Sequence, residues 1–140
     1  ILGDFNLATA IRNTNAFCGE AVLVFGRRQY DKRGTVGTYH YENVIHCPDF
    51  SILEEYKCQG YKIVAAENDM KYNPVPLHNY KWNQKTVVIF GEEGRGLSDE
   101  LIAMCDEMVY VTQLGSVRSM NVGTVSGLFL YDYSVKMERF

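Results

Sequence analysis

A chain of 140 residues, 46% hydrophobic and 22% charged, has the length and make-up of one globular domain spanning 1–140. Fourteen Lys and Arg against seventeen Asp and Glu leave a net charge of −3, which excludes broad charge-driven polyanion binding and confines any such contact to a local basic patch. The cysteines Cys18, Cys47, Cys58 and Cys105 show neither a C-x-x-C pair nor zinc-ligand spacing, so no metal is expected, and buried or half-buried free thiols in a reducing, cytoplasmic compartment are.

In chain order, Asn6 is placed to cap a helix running to Phe17, because Leu7, Ile11, Thr14 and Phe17 recur near helical period and Gly19 supplies a stop. Arg12 sits about 100° around this helix from Ile11, a position that alone reads as a solvated arginine. Ala21–Phe25 is a short apolar run suited to a buried parallel strand. The one basic and aromatic cluster follows: Arg27, Arg28, Lys32 and Arg33, with Tyr30, Tyr39, His40 and Tyr41. Cations for phosphates beside rings for base stacking suit a flexible RNA strand, and a solvated loop is the alternative.

Pro48–Cys58 reads as a helix with Phe50, Leu53 and Tyr56 inward and Gly60 at its end. Tyr61–Ala66 is the next strand. Residues 69–85, with Pro74 and Pro76, read as a surface loop with room for one short turn. Val87–Phe90 then runs into a turn with Gly91, Gly94 and Gly96, followed by Ser98 and a short helix over Asp99–Met104. A buried strand, a loop without Cβ bulk and a helix start make a ligand cradle. The spacing is neither the G-x-G-x-x-G of a Rossmann turn nor the Gly-Lys-Ser/Thr of a P-loop. Glu107–Val111 is a further strand, residues 112–120 a loop, and Asn121–Phe140 the longest helical pattern, its apolar stripe running Val122, Val125, Phe129, Tyr133, Met137 and Phe140. A second strip of small residues, Gly123, Ser126 and Gly127, predicts a close helix contact between subunits of a homodimer. Strands alternating with helices spell an α/β fold, a mainly parallel sheet with helices on both faces, whose ligands sit beyond the strand carboxyl ends. No run of about 18 apolar residues is present, so no membrane span is expected.

Three segments together resemble the SpoU/TrmH family of SPOUT RNA methyltransferases. They are Asn6–Phe17 (N-x-x-x-x-x-R-x-x-x-x-F), Phe90–Ser98 (containing G-x-E-x-x-G-L) and Ser119-Met120-Asn121-Val122. The stretches 33–41 and 115–121 are most similar to the eukaryotic-type tRNA guanosine-18 branch. The resemblance implies a C-terminal deep trefoil knot and 2′-O-ribose methylation of RNA from S-adenosyl-L-methionine, with tRNA favoured over rRNA. It implies a cofactor site at Ala66, Gly91, Gly96, Val111, Gln113, Ser119 and Met120. Arg12 would orient the ribose hydroxyl, with Asn6, Glu93, Ser119 and Asn121 organising the catalytic site and Arg27, Arg28, Lys32 and Arg33 holding RNA. A departure is Val111-Thr112-Gln113, where the family often has Ile-Pro-Met. A non-catalytic RNA-binding or scaffold subunit of the same fold is the alternative function.

Overall fold

The computed structural model describes residues 4–25, 43–91, 96–116 and 120–140. The basic cluster Arg27, Arg28, Lys32 and Arg33, and the site residues Glu93 and Ser119, lie outside the described residues. Helix α1 (Asp4–Ala16) leads into β1 (Val22–Phe25), which pairs in parallel with β2 (Val44–Cys47). Helix α2 (Ser51–Cys58) precedes β3 (Lys62–Ala66), followed by the short β4 (Val75–Pro76) and by β5 (Thr86–Phe90). Helix α3 (Asp99–Met104), β6 (Glu107–Tyr110) and α4 (Val122–Lys136) complete the chain. The strands form two parallel sheets, β1-β2 and β4-β6-β3-β5.

The central strand β3 shows how sequence sets the layers. Side chains alternate across a strand, so Ile63 and Ala65 pack with Leu53 of α2, with Leu97 ahead of α3 and with Leu101 in α3. Val64 turns to the other face and meets Val109 and Phe129 of α4. Ile63, Val64, Ala65 and Val109 are fully buried, as expected of a strand covered by helices on both faces.

Several expectations are corrected. Helix α1 begins at Asp4, so Asn6 lies in its first turn and is not its cap. At the other end Cys18 takes the left-handed conformation (φ 55°), and the Gly19 amide closes the turn on Thr14 O at 2.8 Å. Strand β2 was not expected, because Val-Ile-His-Cys is short and leaves His46 exposed. Helix α2 starts at Ser51, after a bend in which Asp49 Oδ1 accepts from the Ser51 amide at 2.9 Å. Residues 69–85 are more than surface loop: two 3-10 turns and β4 bury Leu77, Tyr80 and Trp82 in the core.

Helix α4 holds that segment down. Trp82 Nε1 donates to Asp132 at 2.8 Å, and Lys136 pairs with Asp132 and donates to the carbonyls of Leu77 and Tyr80. A buried tryptophan thereby has its donor satisfied. The helix ends at Lys136, and Phe140 is 81% exposed instead of completing the inward stripe. The strip Gly123, Ser126 and Gly127 is covered by α1 of the same chain. A Cβ on Gly123 would stand 3.0 Å from Thr9 Cγ2, and one on Gly127 3.2 Å from Asn13 Nδ2. The strip is explained within one chain and does not by itself require a partner subunit. Among the described residues, no helix is long and apolar enough to cross a membrane.

The cysteines divide differently from expectation: Cys18 and Cys58 are exposed, Cys47 is buried and Cys105 is half-buried. Burial pushes the Cys105 thiol up to about 11 and raises Cys47 as well. A raised thiol pKa leaves little thiolate at pH 8. Iodoacetamide at that pH is therefore expected to label Cys18 and Cys58 in the folded chain, and Cys47 and Cys105 only after denaturation. Labelling of Cys105 at the Cys58 rate, read by mass spectrometry, would contradict this packing.

Candidate functional site

The parallel strands β3, β5 and β6 all end on one side of their sheet, and a cleft of about 770 Å³ opens there. Its size falls within the roughly 300–1,000 Å³ of small-molecule sites. Ala66 closes β3 in register with Phe90 of β5 and Val109 of β6, which sets the three strand ends level. Gly91 follows β5, Val111 and Gln113 follow β6, and Gly96, Met120 and the first turn of α4 close the remaining sides. Phe90, Val125 and Phe129 give the cleft an apolar floor.

Gly91 is a residue the loop cannot exchange. A Cβ there would stand 2.5 Å from Gly96 C and 2.9 Å from Leu97 N, so the chain crosses itself in backbone contact. Gly96 itself has φ +68°, which disfavours any side chain. Immediately beyond, Ser98 Oγ accepts from the Leu101 amide at 3.3 Å and starts α3, with Asp99 and Glu100 in the first turn.

Across the cleft, Asn121 caps α4. Its Oδ1 accepts from the amides of Gly123 and Thr124 at 2.8 and 3.3 Å, and its Nδ2 donates to Asn6 Oδ1 at 2.8 Å. Two turns along α1 from Asn6, Asn13 Nδ2 donates to Gly123 O and to Ser126 Oγ. Asn6, Thr9 and Asn13 recur at i, i+3 and i+7, so one face of α1 is fastened to the start of α4.

The structure thus gathers Ala66, Gly91, Gly96, Val111, Gln113 and Met120 on one cleft. It joins Asn6 to Asn121 beside that cleft, 115 residues apart in sequence. It does not bring Arg12 there. Arg12 is exposed on α1, is absent from the cleft lining, and has no hydrogen-bonding or ion-pairing partner among the described residues. Another wall, Glu67, Asn68, Asp69, Lys71 and Tyr72, was missed. The signal was available, since these residues directly follow a parallel strand's carboxyl end. Among the described residues no group of three or more His, Cys, Asp or Glu side chains could hold a metal ion.

An apolar-floored cleft edged by backbone at parallel strand ends, with close-approach glycines, has the position and size of a small-molecule site in an α/β domain. The sequence itself narrows this further: the model of the SpoU rRNA Methylase family matches residues 2–131, and the chain belongs to that family. It is 30% identical over 76 residues to a tRNA (guanosine(18)-2′-O)-methyltransferase of Escherichia coli (strain K12), covering 54% of this chain and 32% of the relative. It is 27% identical over 86 residues to the Saccharomyces cerevisiae tRNA (guanosine(18)-2′-O)-methyltransferase, covering 61% of this chain and 6% of that one. The chain therefore spans about a third or less of these curated relatives. In fold it matches the A. aeolicus TrmH/SpoU tRNA modifying enzyme with a TM-score of 0.89 at 20% identity, over 99% of this chain and 72% of the other.

The double use of the Asn121 side chain makes it a test of this geometry. Asn121→Ala removes the α4 cap and the donor to Asn6, and is expected to lower stability by about 1–2 kcal/mol. Amide exchange at Gly123 and Thr124 should quicken. An unchanged melting temperature and unchanged exchange would contradict the observed pairing.

Proposed function

We propose that the chain is an S-adenosylmethionine-dependent RNA 2′-O-ribose methyltransferase, acting on tRNA in preference to rRNA. The observation that carries this reading is that Ala66, Gly91, Gly96, Val111, Gln113 and Met120 all line one cleft. Its chemistry fits the cofactor: an apolar floor for the adenine, and glycine positions at which a ligand can approach the main chain. Ser119 belongs to the same site in this reading. The cofactor supplies an electrophilic methyl group on a sulfonium.

Arg12 is the residue that orients the ribose 2′-hydroxyl and its neighbouring phosphate. A guanidinium is a planar, delocalised cation and a poor base, so its work is alignment and charge stabilisation, with the hydroxyl proton passing to a phosphate oxygen or to water. Asn6 and Asn121 hold α1 against α4, and Glu93 and Ser119 complete the catalytic group. Arg27, Arg28, Lys32 and Arg33 supply the local positive patch for RNA that the overall charge of −3 does not.

Because Arg12 lies away from the cleft lining of its own chain, the active species is a homodimer in which Arg12 serves the partner's cleft. The support for a dimer comes from α4. Leu128, Tyr131 and Val135 recur along its outer face at 37%, 55% and 45% exposure, and the Tyr131 ring meets Phe17 edge-to-face and Phe140 at a tilt. Such an apolar strip is a natural seat for a second subunit, over an interface of at least roughly 1,000 Å². The family resemblance also supports a C-terminal trefoil knot, while the length of residues 1–140 and the unpaired cysteines are the grounds for reading this stretch as one domain in a cytoplasmic setting.

Arg12→Ala is expected to bind S-adenosylmethionine normally and to lose on the order of 10²–10⁴ in transfer rate. Mixing it with a cofactor-cleft variant such as Ala66→Leu should restore activity in the heterodimer. Near-normal turnover by Arg12→Ala would return Arg12 to a solvated helix position. No recovery in proven heterodimers would place Arg12 and the cofactor in one chain.

A further inference from the structure

Four charged side chains line the cleft among the described residues: Glu67, Asp69, Lys71 and Asp99. Asp69 and Lys71 face one another at 3.6 Å, so their charges largely offset. Asp99 is exposed in the first turn of α3, where helix amides favour a negative charge. Glu67 stands apart from both situations. Its amide donates to Val109 O at 3.0 Å, which extends the β3–β6 ladder and fixes the residue to the sheet. Its Oε1 accepts from the Asp69 amide at 3.1 Å. Its Oε2 lies 3.9 Å from the point a Cβ on Gly96 would occupy. The half-buried carboxylate therefore lies in the cleft wall between the end of β3 and the glycine turn, with no ion-pair partner among the described residues.

We propose that Glu67 makes the cleft discriminate between the cationic sulfonium cofactor and its neutral thioether product, strengthening the first relative to the second. This rests on the cofactor reading given above. In the transfer, the ribose 2′-oxygen forms a bond to the methyl carbon and the carbon–sulfur bond breaks, its electron pair staying on sulfur. The hydroxyl proton leaves to a phosphate oxygen or water. Adenosine and amino-acid tail are the same before and after, so the methyl group and the positive charge it places on sulfur are the whole difference between the ligand that must bind and the ligand that must leave, and of these a carboxylate senses the charge. A fixed carboxylate acts on that charge through space, falling only as the inverse of distance. Position within the cleft wall leaves the attraction partly unscreened. Glu67 is thus a specificity residue that assists product exchange without touching the reacting atoms.

Calorimetric titration of the full chain and of Glu67→Gln, each with S-adenosylmethionine and with S-adenosylhomocysteine, tests this. Glutamine keeps the volume and the acceptor for the Asp69 amide while removing the charge. The expected result is a roughly five- to tenfold weaker Kd for S-adenosylmethionine and less than about twofold change for the product. Glu67→Asp should keep most of the preference, and added salt should narrow it in the unaltered chain only. Equal weakening of both ligands would overturn the proposal and assign Glu67 to a group the two share, such as the ribose diol. Unchanged affinities would overturn it as well. Binding of neither ligand by the unaltered chain would instead overturn the cofactor reading, and this inference with it.

Discussion

The carboxamide of Asn121 faces two ways. Its oxygen caps α4 through the amides of Gly123 and Thr124, and its nitrogen reaches Asn6 on α1. Because the oxygen is committed to the cap, the nitrogen is the end presented to α1, so the amide orientation is set by the helix it starts. Met120, the residue before it, lines the cleft. The position of one cleft wall is therefore tied to the helix that carries Arg12. The contact can be close because Gly123 leaves room for Thr9 and Gly127 leaves room for Asn13.

The opposite wall depends on a second close approach, the backbone crossing of Gly91 with Gly96 and Leu97. Between these two constraints the floor is ordinary core: Val64, Val109 and Phe129 are buried below, and the aromatic pairs Phe90–Phe129 and Trp82–Phe129 fix the rings at 5.6 and 6.1 Å. A close-packed floor under glycine-built walls suits a small molecule held by its shape.

Much of this was legible in the residue pattern. Apolar runs ending in glycine or in a polar turn marked β1, β3 and β5, and Ser98 with Asp99 and Glu100 marked the start of α3 to the residue. The six cleft residues were reachable because ligands collect where parallel strands end, and because motif order supplied the family. Other parts were not legible, for physical reasons. Residues 69–85 carry two prolines and no period, yet Leu77, Tyr80 and Trp82 are buried by contacts to α4 far along the chain. The small strip on α4 was read as a subunit contact because a one-dimensional pattern cannot say which helix covers it. The choice of α1 is made by Asn6, Thr9 and Asn13, more than 100 residues away. Glu67 went unnoticed because a lone acid after a strand has no pattern of its own.

The proposed activity is defined by the atom that receives the methyl group. The direct measurement is to incubate the protein with tRNA and S-adenosylmethionine labelled in the methyl, then hydrolyse the RNA in alkali. A 2′-O-methyl removes the hydroxyl that attacks the adjacent phosphodiester, so label introduced there survives in alkali-resistant dinucleotides. Label recovered in such dinucleotides is the predicted result. Label recovered on bases in mononucleotides, or no label in tRNA from a protein that binds the cofactor, would contradict it.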